Sequence, residues 1–148
     1  MPTFSHTLQV EASRPEIFAI LDDVSRTPEW LTRCTGIDKL DPGPNAVGTR
    51  LRYHYKEGRR TGAMDGRITV RDPDEHIAML YTDKMMDVTV DFVALPGTTD
   101  GSTRLTHTID IRTKGIGKVF GPLIRRSLPR QTTDAMDRLK ALAESDQD

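Results

Sequence analysis

His6 and His107 are the two side chains whose type and spacing best suit proton chemistry. Each lies in a stretch where apolar and polar residues alternate. Phe4, His6, Leu8 and Val10 share one phase of the first stretch, and Leu105, His107, Ile109 and Ile111 share one phase of a later one. On a strand, residues two apart face the same side, so both imidazoles are predicted to point inward with the apolar set. Imidazole titrates near neutrality, and an inward pair can serve a carbonyl substrate as general base and hydrogen-bond donor. The competing use is packing, with each ring satisfied by a backbone or hydroxyl partner, and a one-residue phase slip turns either ring outward. Tyr53 and Tyr55 form a second candidate set. Each brings apolar area and one hydroxyl that can orient a ligand or fill the core, and Tyr53 is a third acid/base candidate. Met64, Met79, Met85 and Met86 add flexible, polarisable surface, suited to an irregular ligand or to core gaps.

Other chemistries find less support. His6, His54, His76 and His107 show no short ligand spacing and Cys34 is the single cysteine, so neither a metal nor any other cofactor is expected. Cys34 follows Arg33, which could lower its pKa, but no thiol-enzyme signature surrounds it and a buried, inert thiol is expected. Gly115-Ile116-Gly117 is too short for a dinucleotide fingerprint. Trp30 is read as packing a short helix against the sheet end. Lys114, Lys118, Arg125, Arg126 and Arg130, interleaved with Phe120, Leu123 and Ile124, make a basic border. It can be a solvated helix face, a membrane contact or the gate of a pocket mouth.

The elements that must position these residues follow from periodicity. Thr3 to Glu11 is a half-buried strand. Ser13-Arg14-Pro15-Glu16 carries a helix cap, a first-turn proline and a capping-box glutamate, followed by the apolar stripe Ile17, Phe18, Ile20, Leu21 and Val24. Ser25-Arg26-Thr27-Pro28 starts a second short helix. Strands are predicted over 37–40, 50–56, 64–71, 76–81, 86–92 and 104–111, with turns at Gly58–Gly62 and Asp72-Pro73-Asp74 and a loop over Pro96–Gly101. After Gly117 the period becomes helical through Glu144, with Pro129 predicted to kink the helix or cut off a short first piece, and with Ser145–Asp148 frayed. Strands grouped between terminal helices indicate α+β. A twisted sheet with one apolar face needs the only long helix to cover it. The first strand, separated from the others by two helices, is placed at one edge beside the last strand.

The totals set the class. A chain of 148 residues suits one domain with a real core. With 21 Lys and Arg against 22 Asp and Glu, the net charge of −1 offers no footprint for nucleic acid. No apolar run is long enough to span a bilayer and the N-terminus lacks a signal-peptide pattern, so a cytoplasmic location is expected. Oligomeric state is left open.

The segment VEASRPEIFAILDDVSRTPEWL, Val10 to Leu31, resembles the opening of the START-like superfamily (the helix-grip or SRPBCC fold). More narrowly, it looks like the polyketide cyclase/dehydrase and lipid-transport branch. The closing MDRLKALAE, Met136 to Glu144, is similar to that family's last helix. The resemblance spans nearly the whole chain. It implies a single START-like domain over 1–148, with about seven curved antiparallel strands, two short helices and a long C-terminal helix enclosing a cavity. It also makes the strands of His6 and His107 antiparallel neighbours. The predicted lining takes Leu51, Tyr53 and Tyr55, then Met64 and Ile68, then Met86, Val88, Val90 and Phe92, then His107 and Ile109. The final helix is expected to add Phe120, Ile124, Met136 and Leu139.

Members of such a family carry lipids or isoprenoids, sense hormones, cyclise polyketides or contact chaperones, so membership implies a pocket and not a reaction. The leading expectation is a binder of a hydrophobic or amphipathic small molecule. A cyclase/dehydratase using a pocket His or Tyr is the alternative, favoured by the way pocket shape can direct ring closure. A protein-interaction module is disfavoured by the charged outward positions Arg50, Arg52, Lys56, Arg67, Arg71, Asp87 and Asp91.

Overall fold

The computed structural model describes residues 3–145, apart from the side chains of Glu57 and Phe120. Phe120 as a lining residue, and the fraying expected over 146–148, therefore fall outside the described residues, while Ser145, expected to fray as well, is the last residue of the final helix.

The alternating stretches form the strands β1 (Thr3–Val10), β2 (Cys34–Lys39), β3 (Arg50–Glu57), β4 (Arg60–Asp72), β5 (His76–Thr82), β6 (Met86–Pro96) and β7 (Thr103–Thr113). They make one antiparallel sheet in the order β1-β7-β6-β5-β4-β3-β2, so β1 closes an edge beside β7 as expected. Register places His6 directly opposite His107. Helices α1 (Arg14–Asp22) and α2 (Thr27–Trp30) follow β1, and α3 (Gly121–Ser145) ends the chain.

The start of α1 uses the predicted capping box, since Ser13 Oγ accepts from the Glu16 amide at 3.3 Å and the Glu16 carboxylate accepts from the Ser13 amide. Its far end is tied to the sheet. Asp22 accepts a two-pronged bond from Arg71 on β4 at 2.8 and 3.0 Å, and that guanidinium holds the Asp22 carboxyl below the ordinary carboxylate range.

Two expectations are corrected. The turn predicted over Gly58–Gly62 shrinks to Gly58 and Arg59, and Gly62 joins β4 opposite Tyr55. Pro129 lies inside an unbroken α3, and the separate short piece before it is a 3₁₀ segment, Gly115–Phe120. A proline deletes one helical N–H bond, while the buried residues Leu128, Thr132 and Ala135 pack the helix on both sides of it as one element.

The space between sheet and α3 is filled unequally. At one end, Val10, Leu51, Ile68, Ile77 and Leu105 of the strands meet Ile17 and Ile20 of α1 and Met136 and Leu139 of α3, each at most 2% exposed. At the other end the same inward faces of β3, β4, β6 and β7, with the N-terminal half of α3, leave a hollow. Among the described residues no helix is long and apolar enough to cross a membrane.

Candidate functional site

The hollow is an apolar cavity of about 370 Å³, within the range usual for small-molecule sites. The sheet contributes Tyr53 and Tyr55 from β3, Met64 from β4, Met86, Val88, Val90 and Phe92 from β6, and His107 and Ile109 from β7. Ile124 comes from α3. Four predicted lining residues are elsewhere. Leu51, Ile68, Met136 and Leu139 lie in the sealed core, because strand and helix faces continue past the cavity's end and the inward phase alone does not mark where packing stops. His6 is half-buried on β1, stacked against Phe4 with centroids 6.5 Å apart, and is not on the cavity wall.

Sequence reasoning missed several wall residues. Tyr81 comes from β5, whose continuous apolar run hid the inward phase that its register opposite Val88 reveals, and Met79, one of the methionines suited to a ligand, lies on the same strand opposite Val90. Trp30, read as packing, does pack edge-on against Phe92 at 5.6 Å but also faces the cavity, and Leu21 and Thr27 join it there. From α3 come Leu128, Thr132 and Ala135, one helical stripe. Arg33, Arg60, Asp83 and Gln131 add polar groups to the wall, and Asp83 accepts from the amides of Met85 and Met86.

Two glycines shape the β4 wall. A β-carbon on Gly66 would stand 2.3 Å from the Tyr81 ring, and one on Gly62 would stand 2.5 Å from the Tyr55 hydroxyl. Both positions therefore give space to aromatic rings of neighbouring strands. Gly66→Ala is expected to cost about 1–3 kcal/mol by overpacking. Urea denaturation should show this loss, with part of it recovered in Gly66→Ala/Tyr81→Val. A single variant as stable as the parent would show that the ring moves aside freely.

Three buried polar groups of the wall stand out as unsatisfied. Both ring nitrogens of His107, the Trp30 Nε1–H and the Thr132 Oγ1 are buried and have no hydrogen-bond partner among the described residues. They come from β7, α2 and α3, and all three residues are on the cavity wall. Burial pushes His107 down to about 4, with the nearby His6 a smaller cause, so its imidazole is neutral at pH 7, with one donor and one acceptor nitrogen. The ring stacks on Phe92 at 4.2 Å, which fixes its plane. Tyr81 donates to the Met79 sulfur at 3.2 Å, and burial raises its hydroxyl above the ordinary value. Unpartnered buried donors and acceptors each cost about 1–3 kcal/mol, so three on one cavity wall favour a bound molecule that satisfies them.

Cys34 is buried and its thiol is pushed up to about 11 by burial, which leaves it unreactive at neutral pH. In the basic border, Lys114 pairs with Asp87 at 2.8 Å, while Lys118, Arg125, Arg126 and Arg130 are exposed. Ile116, Val119 and Leu123 on the same segment are also exposed.

Comparison with known proteins agrees with this architecture. The family model for polyketide cyclase / dehydrase and lipid transport matches residues 1–144. Among solved structures, the Zhui aromatase/cyclase from Streptomyces sp. R1128 superposes with a TM-score of 0.77 at 18% identity, covering 96% of this chain and 93% of that one. A START superfamily protein from Mycobacterium smegmatis gives 0.79 at 19% identity, covering 97% of each chain. The di-domain ARO/CYC BexL from the BE-7585A biosynthetic pathway gives 0.73 at 16% identity, covering 95% of this chain and 46% of that one. No curated protein matches the sequence.

Proposed function

The chain belongs to the polyketide cyclase/dehydrase and lipid transport family, and from that premise we propose that it binds a hydrophobic or amphipathic small molecule in the cavity. The observation that carries this is the set of buried groups without a hydrogen-bond partner among the described residues on a largely apolar wall: the His107 ring, the Trp30 N–H and the Thr132 hydroxyl. An isoprenoid, lipid or polyketide with a carbonyl or hydroxyl on an apolar body meets both demands, since Trp30 donates and neutral His107 and Thr132 can donate or accept. Binding takes place in the cytoplasm on this reading, consistent with a single cysteine held as a buried thiol.

Native mass spectrometry of freshly purified protein should detect a retained hydrophobe. Nile red, a neutral apolar dye, should bind saturably, and Ala135→Phe, which puts a ring into the hollow, should weaken it about tenfold or more while the fold is kept. Equal dye affinity in both proteins, or none in either, would count against the cavity as the binding site.

Acid/base catalysis of cyclisation or dehydration is the second reading, supported by the family description and by the aromatase/cyclase relatives. It requires a group that takes a proton near neutral pH. A His107 lowered to about 4 is a weak base there, and its N–H is better suited to orienting a carbonyl than to abstracting a proton. Incubation with poly-β-ketone substrates addresses this directly, with turnover abolished in His107→Phe if the imidazole nitrogens are required.

A further inference from the structure

Among the described residues six large apolar side chains are exposed, and three of them share one short segment. Ile116, Val119 and Leu123 are 76%, 75% and 61% exposed, whereas Leu40 and Val47 lie in the β2–β3 connection and Leu95 near the end of β6. A lone exposed apolar residue is ordinary, while several together mark a contact surface. The local period explains why they share a face. In a 3₁₀ segment residues three apart eclipse, so Ile116 and Val119 stand on one side of Gly115–Phe120, and Leu123 follows in the first turn of α3.

The segment is held firmly and beside the cavity. Its entry is tied to the β5–β6 loop, where the Lys114 amide donates to the Met85 carbonyl at 2.8 Å. A β-carbon on the buried Gly117 would collide with that same carbonyl, so only glycine lets the two backbones lie this close. Met85 and Leu123 are both on the cavity wall, and the exposure of Leu123 puts the apolar face at the cavity's mouth.

Charge selects what covers this face. From Lys114 to Thr133 the sequence has five Lys or Arg residues and no Asp or Glu. Lys118 lies between Ile116 and Val119, Arg125 and Arg126 follow Leu123, and all three are exposed. Apolar side chains interleaved with cations match the boundary of an anionic bilayer, where the former leave water and the latter meet lipid phosphates. A second copy of the chain fits worse, because two-fold pairing through this face sets Lys118, Arg125 and Arg126 against a like set.

We infer that Ile116, Val119 and Leu123, with these flanking cations, dock on an anionic lipid surface and turn the cavity mouth toward the bilayer. Docking is a property of the outer surface and goes beyond the cavity binding proposed above.

Co-sedimentation with vesicles tests this, using phosphatidylcholine alone and phosphatidylcholine with about one third phosphatidylglycerol. The parent should bind the anionic vesicles about tenfold or more tightly than the neutral ones at low salt, and the excess should fade at high salt. Lys118→Gln/Arg125→Gln/Arg126→Gln should remove the preference, and Ile116→Ser/Val119→Ser should weaken binding to anionic vesicles about tenfold. Neither set lines the cavity, so the urea midpoint and the Nile red affinity measured without vesicles should stay at the parent's values. A parent that binds neither vesicle or both equally, or either variant binding as the parent does, would overturn the docking and leave the cavity function standing. So would a parent that is dimeric in solution and becomes monomeric on Ile116→Ser/Val119→Ser, since a second copy would then cover the face. Vesicle binding as expected without Nile red binding would support the docking and count against the cavity function alone.

Discussion

Lowering the pH from about 6.5 to about 4 is expected to remove roughly 3 kcal/mol of folding stability, and His107→Phe is expected to abolish most of that loss. In the folded protein His107 is 4% exposed, and burial holds it at about 4 against an ordinary value of 6.5. Between those two values the unfolded chain binds a proton that the folded chain refuses. Stability contributed by the neutral ring is therefore complete above about pH 6.5 and falls by about 1.4 kcal/mol per unit as the pH drops. It levels off below about 4, where both states are protonated. Asp22, lowered by Arg71, loses its contribution only through the carboxylate range, so the upper part of the window belongs to histidine. Phenylalanine keeps the stack on Phe92 and cannot take a proton. Urea midpoints across this range check the slope, and a variant with the parent's acid limb would remove His107 as its cause. A bound ligand that donates to the unprotonated His107 nitrogen should extend the limb to lower pH, because it holds the folded-state ring neutral against protonation.

Met136→Ala is expected to cost about 2–5 kcal/mol and to leave ligand affinity nearly unchanged, whereas Ile124→Ala should cost under about 1 kcal/mol and weaken binding. Both residues are on the inward side of α3, and periodicity cannot separate them. Met136 is 1% exposed in the same buried cluster as Val10, Ile17, Leu105 and Leu139, where truncation leaves a void that its neighbours cannot close. Ile124 is only half-buried and faces space that is already open, so its methyl groups contact few protein atoms and are available to a ligand. Thermal or urea denaturation together with Nile red titration distinguishes the two. A mild cost and weakened dye binding for Met136→Ala would place that residue on the cavity wall after all.

The two cases mark where sequence information ends. Alternation in Phe4–Val10 and Leu105–Ile111 set the phase of both strands, and the His6–His107 pairing followed once β1 was laid beside β7, which the order of elements demanded. The capping box at Ser13 was equally legible, because its geometry is local. Local pattern also carried the change from period two to period 3.6 that makes this a sheet covered by one long helix. The bound of the cavity was not legible. Leu51 and Tyr53 have the same phase on one strand, yet one is fully buried in the core cluster while the other faces open space. Which of them contacts a ligand depends on how far α3 and α1 reach along the sheet, a property of the assembled layers and of no single segment. Sequence alone determined the fold, through short-range periodicity and capping, and the inward phase of most wall residues. Tertiary packing decided which inward residues were left uncovered, because burial is a sum over neighbours distant in the chain.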